Sequence, residues 1–253
     1  MSAWALPFWI GHRGAGKAAP ENTRAAFQLG IQQGFRAFEC DVQLSRDGVP
    51  FLLHDDLLDR TSNGHGLACE QPWSTLALLD AGSWHSPAYA GEPLMSLAGL
   101  AELAQRPHLQ INLELKPSPG EEARVGAGVA AWLRQHWQAP TPLLSSFEPD
   151  ALRAAAGQGW PLALLRESWD EDALPLALAL GCEALVCHHA SLDAAAIAQL
   201  HAAGLRAFSY TVNNEARARR LHAAGVDGLI TDRLDLPALV TGVVDDQQPP
   251  PAI

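Results

Sequence analysis

The chain has 253 residues and carries a formal net charge of −11, from 28 acidic and 17 basic residues. That balance argues against broad binding to nucleic acid and against stable membrane association, because both need clustered positive charge. A small anionic substrate stays open, since a cation and a few basic groups can reverse the field inside one pocket. The hydrophobic content of 48% is ordinary for a folded domain, and a chain this long buries a core without disulfide staples. Cys40, Cys69, Cys182 and Cys187 match no Cys-x-x-Cys pair and read as reduced, partly buried thiols. Met1 to Ile10 shows no basic n-region and no long apolar run, so the expectation is a cytoplasmic protein without a signal peptide or a membrane span.

Short apolar runs alternate with Ala/Leu-rich amphipathic segments. Phe8 to Arg13 reads as a strand, Asn22 to Gln33 as a helix capped near Asn22 or Thr23, and Arg36 to Leu44 as a second strand. Val49 to His54 continues extended after the Asp47-Gly48 turn. The stretch of about residues 55–95 is rich in Gly, Ser, Asn, Pro and Trp and has little periodicity, which reads as a small insertion over one mouth of the fold. His108 to Lys116 is a third strand and Glu121 to His136 a helix. Strands at Leu143 to Phe147, Pro161 to Glu167, Ala184 to His188, Leu205 to Val212 and Asp227 to Thr231 then alternate with helices at Pro149 to Ala156, Asp170 to Leu180, Asp193 to Ala203 and Asn214 to Ala224. About eight strand-helix units imply a closed parallel (β/α)8 TIM barrel, with residues 1–244 as one domain and 245–253 as a disordered tail. Neither G-x-G-x-x-G nor a P-loop follows the first strand.

Active sites of parallel barrels lie at the C-terminal strand ends. Side chains alternate along a strand, so Phe38, Cys40 and Val42 share one face of the second strand while Glu39, Asp41 and Gln43 share the other. On the third strand Ile111, Leu113 and Leu115 oppose Asn112, Glu114 and Lys116. The apolar faces suit the outer helices, which aims Glu39, Asp41 and Glu114 into the barrel mouth. Three converging carboxylates either pair with Arg13, Arg36 and Lys116 as a structural network or hold a divalent cation. All-oxygen ligands suit Mg2+ or Ca2+, with Mn2+ as a further option. His12 and His54 end neighbouring strand segments and are candidates for general acid and base. Arg13 and Lys116 are the nearest groups to hold phosphate oxygens. The remaining histidines read as structural, except that His188-His189 ends a strand. Trp73, Trp84, Trp132, Trp137, Trp160 and Trp169 read as packing residues.

His12-Arg13-Gly14, followed by Pro20-Glu21-Asn22-Thr23 and Ala26-Phe27, resembles the opening signature of glycerophosphodiester phosphodiesterases. Glu39-Cys40-Asp41-Val42, His54-Asp55, Leu58-Asp59-Arg60-Thr61, Glu92 to Leu97, Leu113 to Lys116, Tyr210 to Asn213 and Asp227 to Asp232 resemble further family motifs in the same order. Tyr210 stands where the family often has Trp, and Arg233-Leu234 where a proline is common. The resemblance implies metal-dependent hydrolysis of glycerophosphodiesters, such as glycerophosphocholine or glycerophosphoethanolamine, to an alcohol and sn-glycerol 3-phosphate. It implies Glu39, Asp41 and Glu114 as metal ligands, Glu21 beside them, His12 and His54 as the acid/base pair, and Arg13 and Lys116 as phosphate contacts. Phe147 and Tyr210 end inward strand segments and could pack on the glycerol or the alcohol. Two alternatives stand beside this reading: a lysophospholipase D or other phospholipase-like phosphodiesterase on the same barrel, and a non-catalytic barrel.

Overall fold

The computed structural model describes residues 4–105 and 109–240. His108 and the tail at 245–253 lie outside the described residues. Among the described residues nine strands form one sheet: β1 (Trp9–His12), β2 (Ala37–Leu44), β3 (Pro50–Leu52), β4 (Gln110–Leu115), β5 (Leu143–Ser146), β6 (Leu162–Arg166), β7 (Ala184–His188), β8 (Arg206–Tyr210) and β9 (Gly228–Thr231). All except β3 pair in parallel, and β1 bonds to both β2 and β9, which closes an eight-stranded barrel. The outer helices are α1 (Arg24–Gln32), α3 (Leu97–Gln105), α4 (Glu122–His136), α5 (Pro149–Ala155), α6 (Ala173–Ala179), α7 (Ala194–Ala202), α8 (Glu215–Ala223) and α9 (Leu236–Leu239); α2 (Trp73–Leu76) is a single turn inside the insertion. This is the predicted (β/α)8 barrel. The sequence reading named no element at α3, yet this helix completes the second strand-helix unit.

The period-2 pattern of the strands sorts the core into two layers. Phe38, Cys40, Val42, Ile111, Leu113 and Leu115 join the layer between sheet and helices. Ile10, Ala37, Leu143, Ala163, Ala184, Phe208 and Ile230 fill the barrel interior with Trp4 and Leu6. Trp4 packs on Phe208 at 6.2 Å, lies 4.5 Å from the Arg206 guanidinium and donates from Nε1 to Glu183 at 2.8 Å. Glu183 and Arg206 stand at the N-terminal ends of β7 and β8, so the segment before β1 plugs that end and leaves the opposite mouth for polar groups. Thr23 caps α1, its Oγ1 accepting from the Ala26 amide at 3.3 Å.

The insertion begins as a hairpin. β3 returns antiparallel to β2 through a turn in which Gly48 has φ of 83°. Beyond β3 the chain has little regular structure but a small apolar core of its own: Phe51, Leu53, Leu58, Ala68, Leu76, Ala81 and Leu94. Asp80 ties its turns together by accepting from the amides of Gly82, Ser83 and Gly91 at 2.8–2.9 Å. Trp73, Trp132, Trp137, Trp160 and Trp169 pack against the cores as expected, whereas Trp84 is 39% exposed. No helix among the described residues is long and apolar enough to cross a membrane.

Candidate active site

Strand register assembles the acidic groups at the open mouth. His12 pairs in register with Glu39, and Asp41 with Glu114. Glu39, Asp41 and Glu114 are all buried, and one carboxylate oxygen from each lies within 4.8 Å of the others. Two of the three basic partners weighed from the sequence are present. Arg13 Nε is 3.1 Å from Asp41 Oδ2, and Lys116 Nζ is 3.2 Å from Glu114 Oε1. Arg36 turns away and donates to the carbonyls of Ile31 and Phe35. Glu39 forms no ion pair with a lysine or arginine side chain among the described residues, although the Arg13 amide donates to its Oε2 at 3.4 Å. Oε1 of Glu39 and Oδ1 of Asp41 are buried without a hydrogen-bond partner there, and such groups are costly unless something else binds them.

The electrostatics follow from this crowding. Burial, then repulsion from Asp41 and Glu114, holds the Glu39 carboxyl well above the usual carboxylate range. Burial and Asp41 push Glu114 up to about 7. Burial would raise Asp41 as well, but Arg13, His54 and the Asn22 hydrogen bond hold it below the usual range. Asn22 donates from Nδ2 to Asp41 Oδ2 at 2.8 Å, from a backbone with φ of 59° that asparagine tolerates. Burial opposes the charge of Arg13, yet Asp41, Glu21 and Glu39 carry its guanidinium above the ordinary arginine value.

Each candidate histidine is gripped at Nδ1 by an aspartate. His12 Nδ1 lies 2.6 Å from Asp232 Oδ1, and its Nε2 lies 3.8 Å from Glu39 Oε2. Asp232 is itself held by Asn213, whose Nδ2 donates to Oδ2 at 2.7 Å and whose Oδ1 accepts from the Asp232 amide at 2.9 Å. His54 Nδ1 lies 2.6 Å from Asp55 Oδ1, and its Nε2 lies 3.3 Å from Lys116 Nζ. Burial lowers the His54 pKa, outweighing the pull of Asp41. With Nδ1 engaged as a donor, Nε2 of each ring is the nitrogen left for chemistry. Asp55 also accepts from Arg60, which reaches Glu21 as well.

The loop after β1 needs a glycine close to Asp232. A Cβ on Gly16 would lie 2.3 Å from the Asp232 Cα and 2.4 Å from its carbonyl oxygen, and Gly16 has φ of 56°. Gly16→Ala is therefore expected to displace Asp232 and misalign His12, lowering kcat on the order of 10-fold or more, as displacements near 1 Å do. Steady-state kinetics beside a thermal melt would check this; unchanged kcat would show that the aspartate is not pinned by that contact.

A cavity of about 540 Å3 is lined by His12, Arg13, His54, Glu114, Lys116, Phe147, Glu167, Tyr210 and Thr211. The structure thus brings the sequence-predicted His12, Arg13, His54, Glu114, Lys116, Phe147 and Tyr210 to one cavity; Glu39 and Asp41 do not line it but adjoin its wall, Glu39 through its 3.8 Å approach to His12 and Asp41 through its register with Glu114. Phe147 meets Tyr210 edge to face at 5.8 Å, and Lys116 Nζ lies 5.9 Å from the Phe147 ring centre. Tyr210 donates its hydroxyl to the Arg166 carbonyl at 3.2 Å, and His188 packs on its ring at 5.6 Å. His65 pairs with Asp59 and His201 with Asp227, both outside this cavity. Sequence reasoning gave Asp232, Asn213 and Arg60 no role of their own and placed Asn22 only as an alternative to Thr23 for the cap of α1, which Thr23 takes. Asp232 carried a usable signal: it follows the last strand as His12 ends the first, and barrel closure makes those strands neighbours.

The sequence profile of the glycerophosphoryl diester phosphodiesterase family matches residues 12–236. A glycerophosphodiester phosphodiesterase of Caldanaerobacter subterraneus subsp. tengcongensis is 29% identical over 229 residues, covering 88% of this chain and 93% of its own. A phosphodiesterase of Oleispira antarctica, solved with its product sn-glycerol-3-phosphate, superposes with a TM-score of 0.88 at 34% identity, covering 93% of this chain and 97% of the other. A glycerophosphodiester phosphodiesterase of Agrobacterium tumefaciens superposes with a TM-score of 0.75 at 28% identity, covering 91% and 98%. A closed parallel barrel, two aspartate-gripped histidines and a buried acidic trio at its mouth thus coincide with matches along nearly the whole chain, and the chain belongs to the glycerophosphoryl diester phosphodiesterase family as an enzyme of that type.

Proposed function

We propose that the enzyme hydrolyses glycerophosphodiesters such as glycerophosphocholine or glycerophosphoethanolamine to the free alcohol and sn-glycerol 3-phosphate, with one divalent cation held by Glu39, Asp41 and Glu114. The observation that carries the metal is the set of three buried carboxylates with one oxygen of each within 4.8 Å of the others, in which Glu39 Oε1 and Asp41 Oδ1 have no hydrogen-bond partner among the described residues. Oxygen ligands without His or Cys fit a hard cation, Mg2+ or Ca2+, with Mn2+ as a further option. When bound, the cation would supply positive charge against a non-bridging phosphate oxygen. The product in the Oleispira antarctica neighbour supports sn-glycerol 3-phosphate as the phosphorylated product here.

The chain's own groups divide the remaining work. Arg13 and Lys116 flank the trio and hold phosphate oxygens. His12, whose Nε2 is on the Glu39 side, accepts the proton of the attacking hydroxyl. His54, fixed by Asp55 with Nε2 beside Lys116, gives a proton to the departing alkoxide. One P–O bond forms to the attacking oxygen and one breaks to the alcohol; the proton lost to His12 is matched by the proton released from His54. The attacking group is water or the glycerol 2-hydroxyl; in the second case a water then attacks the cyclic phosphate, forming one P–O bond and breaking the bond to O2 to give glycerol 3-phosphate, and trapping the cyclic glycerophosphate would single out that route. Phe147 and Tyr210 form an apolar wall for the glycerol or the alcohol.

The test is a panel of glycerophosphodiesters with lysophosphatidylcholine beside them, supplied with Mg2+, Ca2+ or Mn2+, and release of glycerol 3-phosphate coupled to its dehydrogenase. Coupled signal from the water-soluble diesters is expected. Silence from every diester with every cation would sink the reading. Choline release from the lysolipid alone would replace it with the lysophospholipase D alternative.

A further inference from the structure

Arg60 belongs to the insertion, after the core residue Leu58 and outside every strand and helix. Its guanidinium makes two bidentate pairings at once. Nε and Nη2 donate to Asp55 Oδ2 and Oδ1 at 2.5 and 3.0 Å, while Nη1 and Nη2 donate to Glu21 Oε2 and Oε1 at 2.9 and 2.8 Å. The two oxygens that share Nη2 are the ones that touch the cavity residues. Asp55 Oδ1 lies 2.6 Å from His54 Nδ1, and Glu21 Oε1 accepts from Arg13 Nη1 at 2.9 Å. An isolated surface ion pair contributes little. Here one planar fork fixes the orientation of two carboxylates, and a lysine has no such geometry. Hydrogen bonding to Arg60, against the effect of burial, keeps the Asp55 carboxyl far below the usual range, so it remains an acceptor for the imidazole.

We propose that Arg60 is a positioning residue for His54: the insertion, through the linked set Glu21–Arg60–Asp55, sets the angle at which His54 Nε2 enters the cavity. The assignment rests on His54 acting as an acid/base group. It gives the insertion a part in turnover although its core lies outside the barrel.

The test measures kcat and KM for glycerophosphocholine hydrolysis by the cation-supplied full chain, for wild type, Arg60→Ala, Arg60→Lys, Asp55→Asn, the Arg60→Ala/Asp55→Asn pair and His54→Ala. Arg60→Ala is expected to lower kcat on the order of 10–100-fold, the scale of a small misplacement of a reacting group, and to shift KM less than about threefold. Arg60→Lys is expected to fall between it and wild type. In the Asp55→Asn background the Arg60→Ala effect is expected to shrink below about threefold, because the two act as one unit. The Arg60 side chain is 44% exposed, so the variant should fold; should its melting curve show otherwise, Arg60→Lys carries the same comparison. Undiminished kcat in the folded variants, a loss confined to KM, or fully multiplicative effects in the double variant would overturn the positioning role. An inactive wild type would instead overturn the proposed substrate, and an active His54→Ala the acid/base assignment, so these failures are told apart.

Discussion

Replacing His54 with alanine is expected to lower kcat by about 10²–10⁴-fold, the usual worth of a general acid or base, with a much smaller change in substrate affinity. An alkoxide is a poor leaving group, so loss of the proton donor falls on the bond-breaking step. The groups proposed to bind phosphate, Arg13 and Lys116, remain in place. His54 is only partly buried, with its side chain 31% exposed, so the loss of activity should not be a loss of fold; a thermal melt beside the kinetics checks this. His12→Ala is expected to act on the same scale. A leaving group with a low pKa, such as a p-nitrophenyl ester, separates the roles: it needs no protonation and should recover much of the His54→Ala defect but little of the His12→Ala defect. Near wild-type kcat for His54→Ala would remove it from the mechanism, and equal recovery of both variants would remove the division of labour.

Exhaustive chelation with EDTA is expected to abolish turnover, and Mg2+ or Ca2+ to restore it. The reason is electrostatic. Glu39, Asp41 and Glu114 share one buried site with two basic side chains, so without further positive charge Glu39 is held well above the usual carboxylate range and Glu114 keeps its proton up to about 7. Ligation requires carboxylates, so cation binding expels those protons. The sign of the pH effect follows. Both glutamates have raised folded-state pKa values, so at these two sites the metal-free folded state holds more protons than the unfolded chain. Their contribution to its stability therefore falls as pH rises from the ordinary glutamate value near 4.5 through about 7 for Glu114. Stabilisation by the cation should grow across that window, reaching about 2–3 kcal/mol at a hundred times its dissociation constant. Melting temperatures at pH 5 and pH 8, with and without Mg2+ or Ca2+, measure it. Full activity after chelation, or a cation shift that shrinks as pH rises, would count against the metal site.

Much of this was legible in the chain because it is local. Alternation along β2 puts Glu39 and Asp41 on the face opposite Cys40, whatever the rest of the fold does. The same alternation separates Glu114 from Leu113 and Leu115 on β4. Strand-helix periodicity and motif order were enough for the barrel and for most of the residues lining its mouth, but not for Glu167 and Thr211. The helix at Leu97–Gln105 went unnamed because its Ala/Leu-rich stretch directly follows an aperiodic insertion, which blurs where a helical pattern begins.

What the sequence by itself determined is which side chains face inward and which chemical types they are, since side-chain direction in a strand depends only on its two-residue period. Partnership was decided by tertiary structure alone. Asp232 meets His12 across 220 positions because β9 closes onto β1, and Asp41 meets Glu114 because β2 and β4 pair in that register. Arg60 reaches Asp55 and Glu21 from an irregular loop whose path is set by its own small core. No periodicity encodes such contacts: they arise from closure, register and loop packing, which fix distances between residues far apart in the chain.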